Sequence, residues 1–260
     1  MPLLIVSDEP YVPWELVWPY EVHPAQEDPE PWCMTFRLGR WLRRNERGRG
    51  HAEIPGTLSI TRGACLAPSD SGLPAAQTEC KVFNDVLTRL QAKNTSPKVA
   101  TYDEVLMLLR DGDYDWLHAA THGTFSLEHP VVDAAIWLED DYPLTPLEMT
   151  GTAIEGHIYQ VRPGFAFNSC HGGRQSWTIS GLGGWATHLI SSGASVFIAP
   201  IWPVNDDDAL EFTRTLYSAL IRGRTIGDAL RDTRQQLRQS GRTAWLVYTA
   251  YADPQARLSR

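Results

Sequence analysis

Along most of the chain, short apolar runs of strand length take turns with segments whose apolar residues recur at helical spacing. Leu3–Ser7 reads as a buried strand and Thr57–Thr61 as a second one. Between them, Pro10–Glu30 is rich in Pro, Trp and Glu and predicts no regular element. Phe36–Arg44 predicts a short basic helix, and Arg47–Pro55 has the charge and Gly content of a loop. Ala67–Pro74 has turn chemistry throughout. Val82, Val86, Leu87 and Leu90 then define a helix over about Ala76–Ala92, and Lys98–Thr101 reads as a brief strand. A helix over Tyr102–Arg110 stops at Asp111-Gly112-Asp113. The strand Trp116–Ala120 closes on Thr121-His122-Gly123. Ala134–Leu138 is another strand, and Gly164–Asn168 is a strand that runs into Ser169-Cys170-His171-Gly172-Gly173. A helix over about Gly184–Ser192, a strand over Ala194–Pro200, helices over Asp206–Arg222 and Ile226–Gln239, and a last strand at Ala244–Tyr248 complete the reading.

From about residue 57 onward, strands and helices alternate. That pattern predicts an α/β fold, a three-layer sandwich whose central, mostly parallel sheet is covered on both faces. No internal repeat and no convincing linker interrupts it. The expectation is one domain over residues 1–260 with a less regular part at about 1–56.

Composition narrows the function. Apolar residues make up 43% of the chain and charged residues 21%, ordinary values for a protein that buries a sizeable core. A net charge of −8 argues against nucleic acid, whose affinity rests on Lys and Arg neutralising phosphates. The local exception is Arg37, Arg40, Arg43, Arg44, Arg47 and Arg49, read as a solvated helix and loop before a docking face. No apolar run approaches the ~18 residues of a membrane span. The N-terminus lacks a basic start, so no signal peptide is expected. Cys33, Cys65, Cys80 and Cys170 are far apart without a CxxC, which suggests neither a zinc cluster nor a dense disulfide scaffold. A reducing cytoplasm is the expected setting, with no metal or organic cofactor.

Two strands end in reactive residues, one at His122-Gly123 and one at Cys170. Ligands of an open α/β sheet bind beyond the carboxyl ends of its strands, so neighbouring strands would bring these residues together. A free thiol of pKa about 8.5 is only a few per cent thiolate at neutral pH, and a nearby imidazole can take its proton. The N–H groups of Gly123 and Cys170 can form an oxyanion hole, where one donor is worth roughly 3–4 kcal/mol. Spacing alone favours a structural Cys, since Cys is often buried, but the Gly-Gly exit after Cys170 favours a site. His118 and His122 form an HxxxH pair without the Glu of a zinc-protease motif. On a strand, residues four apart lie ~13 Å apart, too far to share a metal. His118 therefore reads as a hydrogen-bonded core residue, and His171 as a rival base that points away.

Asp115-Trp-Leu-His118-Ala-Ala-Thr-His122-Gly123 resembles the histidine motif of CHAT proteases, in the clan of caspases, separases and gingipains. Asn168-Ser169-Cys170-His171-Gly172-Gly173 resembles their cysteine motif. Leu144–Leu147, Gly181–Gly184 and Ala194–Asn205 (ASVFIAPIWPVN) resemble segments that follow in the family's order. The resemblance implies a caspase-like sheet and a Cys–His dyad that cleaves peptide bonds. His122 would be the base, Cys170 the nucleophile, and Gly123 with Cys170 the oxyanion donors. It also implies a role in bacterial immunity or programmed death, under a fused sensor or a helical-repeat partner. Arginine-cutting relatives carry Asp two residues before the cysteine, where this chain has Asn168, so a preference for Arg or Lys is not implied. Trp202 would wall the substrate groove, and Asn168 could bond a polar substrate side chain. Asp206 reads first as a helix N-terminal residue and second as a substrate contact. The rival reading is a catalytically silent caspase-fold module that binds proteins.

Overall fold

The computed structural model describes residues 1–19, 30–43, 54–170, 172–178 and 181–259. Eight strands form its main sheet: β1 (Pro2–Val6), β2 (Arg37–Trp41), β3 (Arg62–Leu66), β4 (Lys93–Asn94), β5 (Trp116–Ala120), β6 (Gly164–Asn168), β7 (Val196–Pro200) and β8 (Tyr248–Tyr251). Their order across the sheet is β1-β2-β8-β7-β6-β5-β3-β4. Six of the seven neighbouring pairs are parallel, and only β7 and β8 run antiparallel.

Central strands covered on both faces must be apolar on both, and here they alternate side by side. Leu117, Ala119, Phe165, Phe167, Phe197 and Ala199 enter one core. Trp116, Ala166, Val196 and Ile198 enter the other. Helices α2 (Tyr102–Asp111), α3 (Thr152–Val161) and α4 (Trp185–Ser192) supply the first core. Helices α1 (Pro74–Leu90), α5 (Asp206–Ile221) and α6 (Ile226–Gln239) supply the second. The result is the three-layer α/β sandwich expected from the alternation. Local chemistry sets the helix ends: Thr101, Asn205 and Thr225 accept first-turn N–H groups, and Gly112 ends α2 at φ 65°. No helix among the described residues is long and apolar enough to cross a membrane.

Several elements differ from expectation. The segment read as the basic helix Phe36–Arg44 is strand β2, paired with β1 and β8. Leu38, Trp41 and Leu42 mimic a helical stripe, but strands from both chain termini claim the backbone, which is tertiary context overriding spacing. A Cβ on Gly39 would lie 2.3 Å from the Ala252 carbonyl oxygen, so only glycine fits that approach. Arg40 is not solvated. It is buried and makes a bidentate pair with Glu15, whose Oε1 also accepts from Thr249. Burial alone would raise the Glu15 pKa, but the Arg40 guanidinium more than offsets it and leaves the carboxyl below its ordinary range. Arg44, Arg47 and Arg49 lie outside the described residues. Lys98–Thr101 is not a strand; Lys93–Asn94 forms the edge instead. The last strand begins at Tyr248, after a 3-10 turn over Thr243–Leu246.

Cys65 on β3 and Cys80 on α1 form a disulfide with Cα atoms 5.6 Å apart. Cys33 and Cys170 are free. Four reduced cysteines were expected, and their spacing gave no hint of a pair. Closing a 15-residue loop stabilises a fold by about 3 kcal/mol in the chain-entropy description. Such bonds belong mainly to oxidising compartments, which weighs against a strictly reducing setting.

Candidate active site

Strands β5 and β6 are parallel neighbours with Ala120 opposite Asn168. His122 and Cys170 each lie two residues beyond that pair, so register brings them out side by side at the same sheet edge. Thr121 N–H donates to the Asn168 carbonyl at 3.4 Å and carries the pairing past the strand ends. Gly123 then packs directly on the Cys170 loop. A Cβ placed there would meet the Cys170 carbonyl oxygen at 2.3 Å, the Ser169 Cβ at 3.0 Å and the Cys170 nitrogen at 3.2 Å. The peptide groups of Gly123 and Cys170 are therefore adjacent.

Gly123→Ala is accordingly expected to push the Cys170 loop aside. A misplacement of about 1 Å in a catalytic group costs on the order of 10²-fold, so kcat/KM should fall by about that factor. Full activity in a folded Gly123→Ala variant would show that the close approach does not matter.

His122 is exposed, and its Nε2 lies 2.8 Å from the Ser71 carbonyl oxygen. A carbonyl only accepts, so Nε2 donates the proton here, and in the neutral ring Nδ1 is the accepting nitrogen. Ser71 belongs to the turn-rich segment between β3 and α1, and its hydroxyl donates to the Pro68 carbonyl. Cys170 is half-buried, and its thiol donates to the Val204 carbonyl at 3.8 Å. His122 and Cys170 thus leave the sheet at one edge, while each holds a different carbonyl. His171, the rival base, lies outside the described residues.

Beneath the edge is a buried polar cluster that sequence reasoning missed. Glu79 Oε2 accepts from Asn168 Nδ2 (2.8 Å), Thr213 Oγ1 (2.7 Å) and His118 Nε2 (3.1 Å). Trp116 Nε1 donates to the Tyr217 hydroxyl at 2.9 Å, and that hydroxyl lies 3.0 Å from His118 Nδ1. The Tyr217 proton therefore goes to Nδ1, which places the His118 proton on Nε2, facing Glu79. The Tyr248 hydroxyl donates to Asn168 Oδ1. Burial holds the Tyr248 phenol well above its ordinary pKa, so it stays a donor. A signal for Glu79 existed in the sequence. It sits four residues from both Ala75 and Phe83 on the buried stripe of α1, where a carboxylate needs partners.

The three residues expected at the substrate part company here. Asn168 faces the interior, with its oxygen taken by Tyr248 and its amide by Glu79, Thr213 and the Ala209 carbonyl. Its place in this cluster is structural, and the expected reach toward substrate is corrected. Asp206 stands in the first turn of α5 and accepts from Ala75 N–H at the start of α1. That agrees with its helix-terminal reading and joins two helices. Trp202 is 37% exposed and lines a cavity beside the Cys170 loop. His118 and His122 part ways as well, one inside the sheet layer and one at the open edge.

Solved structures that share this fold are distant in sequence. No curated protein matches the chain. A solved protein described only as a protease superposes with a TM-score of 0.61 at 13% identity, over 98% of this chain and 63% of its own. The Arg-specific cysteine proteinase gingipain R gives 0.57 at 12% identity, over 85% and 55%. The Saccharomyces cerevisiae separase, solved with securin, gives 0.52 at 13% identity, over 86% and 14%. The chain thus spans less than two thirds of each of these, and at such identities they establish the fold alone. Residues 42–257, which hold both strand ends and the cluster beneath them, match the CHAT domain, and the chain belongs to that family, with its caspase-like cysteine protease fold.

Proposed function

We propose that the chain is a cysteine endopeptidase acting through Cys170 and His122. The close packing of Gly123 on the Cys170 peptide supports this most directly, because it ties the histidine strand to the nucleophile loop. His122 Nδ1 takes the Cys170 proton, and the thiolate attacks the scissile carbonyl. The N–H groups of Gly123 and Cys170 face the developing oxyanion. Collapse to the thioester expels the amine, which takes its proton from His122, and water then hydrolyses the thioester.

The thiol's contact with Val204 supports a resting state in which Cys170 faces His122 only part of the time, and which a substrate or partner biases toward that pair. It fits control by a fused sensor or a helical-repeat partner in bacterial immunity or programmed death. A single catalytic domain over residues 1–260 belongs to the same proposal.

The test is incubation of wild type and Cys170→Ala with a complex proteome, reading new protein N-termini by mass spectrometry. Termini made by wild type alone are the expected result. No such termini, with Cys170 alkylating no faster than an ordinary thiol, would favour the silent binding module instead.

A further inference from the structure

Beside the Cys170 loop lies a cavity of about 180 Å³, roughly the liquid volume of six waters and room enough for one substrate side chain. Its walls include Tyr11, Leu127, Trp202, Gln175 and two guanidinium residues, Arg40 and Arg174, with no carboxylate among the lining side chains. The two arginines are not equivalent. Arg40 is neutralised by its bidentate pair with buried Glu15. Arg174 lies over the Phe125 ring, 5.3 Å from its centroid, and has no carboxylate partner among the described residues. Gln175 is held from two sides, donating to Thr187 and accepting from Tyr251. The Tyr11 hydroxyl is engaged with Ser176. The wall beside Arg174 is therefore fixed by protein contacts, and Arg174 is the cavity's one charge without an opposite partner among the described residues.

The cavity also connects to the chemistry. Gly173 and Arg174 stand three and four residues after Cys170, and the Gly173 N–H donates to the Pro200 carbonyl at the end of β7. One loop thus forms both the nucleophile's support and the cavity wall.

We infer that this cavity is a specificity subsite that takes an aspartate or glutamate side chain of the protein substrate, with Arg174 as its anchor and Trp202 as its wall. The inference rests on the protease reading and gives it a substrate class. A planar guanidinium pairs with a carboxylate through two parallel hydrogen bonds. An amide of the same shape offers one acceptor and no charge, and a lysine is repelled.

The experiment uses the full chain and a proteome-derived peptide pool. Wild type should show Asp and Glu enriched at one fixed position close to the cut. On matched peptides, Arg174→Ala should lower kcat/KM for the acidic peptide roughly 10- to 100-fold. The Asn version should change little, and Arg174→Glu should shift the preference to Lys at that position. A profile without acidic enrichment, or enrichment that persists in Arg174→Ala, overturns the inference while leaving the protease reading intact. If nothing is cut, the same pool is passed over the immobilised Cys170→Ala chain. Arg174-dependent retention of acidic peptides keeps the subsite although the protease reading has failed, and no such retention overturns the subsite too.

Discussion

His122→Ala is expected to lower kcat/KM on any identified substrate by roughly 10²- to 10⁴-fold, the usual contribution of a positioned general base. A loss of 10³-fold corresponds to about 4 kcal/mol of barrier. The thermal midpoint should hardly move, because the ring is exposed and its one described hydrogen bond goes to the Ser71 carbonyl. Iodoacetamide provides a readout that needs no substrate. Cys170 in wild type should alkylate faster at neutral pH than in His122→Ala, since the imidazole no longer draws off the thiol proton. Suppose His122→Ala cleaves and alkylates like wild type while Cys170→Ala is dead. Then His122 is not the base, and His171 becomes the residue to test.

The nearness of these two strand ends was legible in the sequence because both residues stand just past buried strands, with Gly123 after His122 and Gly172-Gly173 close behind Cys170. Short, nearly continuous apolar runs such as Trp116–Ala120 and Gly164–Asn168 identify their own burial. Once two strands are parallel neighbours, equal offsets past the register pair bring their ends together. What spacing cannot supply is which strands are neighbours. β3 was missed between the expected strand at Thr57–Thr61 and the turn at Ala67, because Gly63, Ala64 and Cys65 carry too little bulk to read as a strand. It nevertheless sits inside the sheet beside β5, where Phe83 and Leu87 of α1 would crowd any side chain at Gly63. α3 was missed because Gly156 and several β-branched residues dilute its helical signal. The β2 error has the opposite cause, a local pattern that looks helical and is overruled by β1 near the start of the chain and β8 near its end. The Ser71 carbonyl is a backbone group, so no residue type could have announced it. The motif resemblance carried the dyad further than the pattern did, yet it placed Asn168 on the substrate side, where the fold turns it inward.

The inward turn of Asn168 makes Glu79 the residue whose loss should most damage the fold. Glu79 is 1% exposed, and one of its oxygens collects three donors from α5, β5 and β6. Glu79→Ala removes the acceptor, leaves the buried Thr213 and His118 donors without it, and strips Asn168 of one of its partners. Each buried donor left unsatisfied costs about 1–3 kcal/mol, so a loss of roughly 3–5 kcal/mol is expected. At about 2–4 °C per kcal/mol for a large domain, the thermal midpoint should fall by roughly 10 °C. Glu79→Leu fills the volume but should not rescue, because the partners stay polar. Glu79→Gln keeps one acceptor oxygen and should lose distinctly less. Activity should suffer beyond the fraction unfolded, since Asn168 fixes the end of β6 two residues before Cys170. Measured well below the new midpoint, kcat/KM should still be reduced in Glu79→Ala, with Cys170 alkylation slowed alongside it. A Glu79→Ala variant that melts with wild type would mean the cluster does not hold the strand end. One that is destabilised yet fully active when folded would confine Glu79 to stability and leave the aim of Cys170 to the Gly123 contact and the Gly172–Gly173 exit.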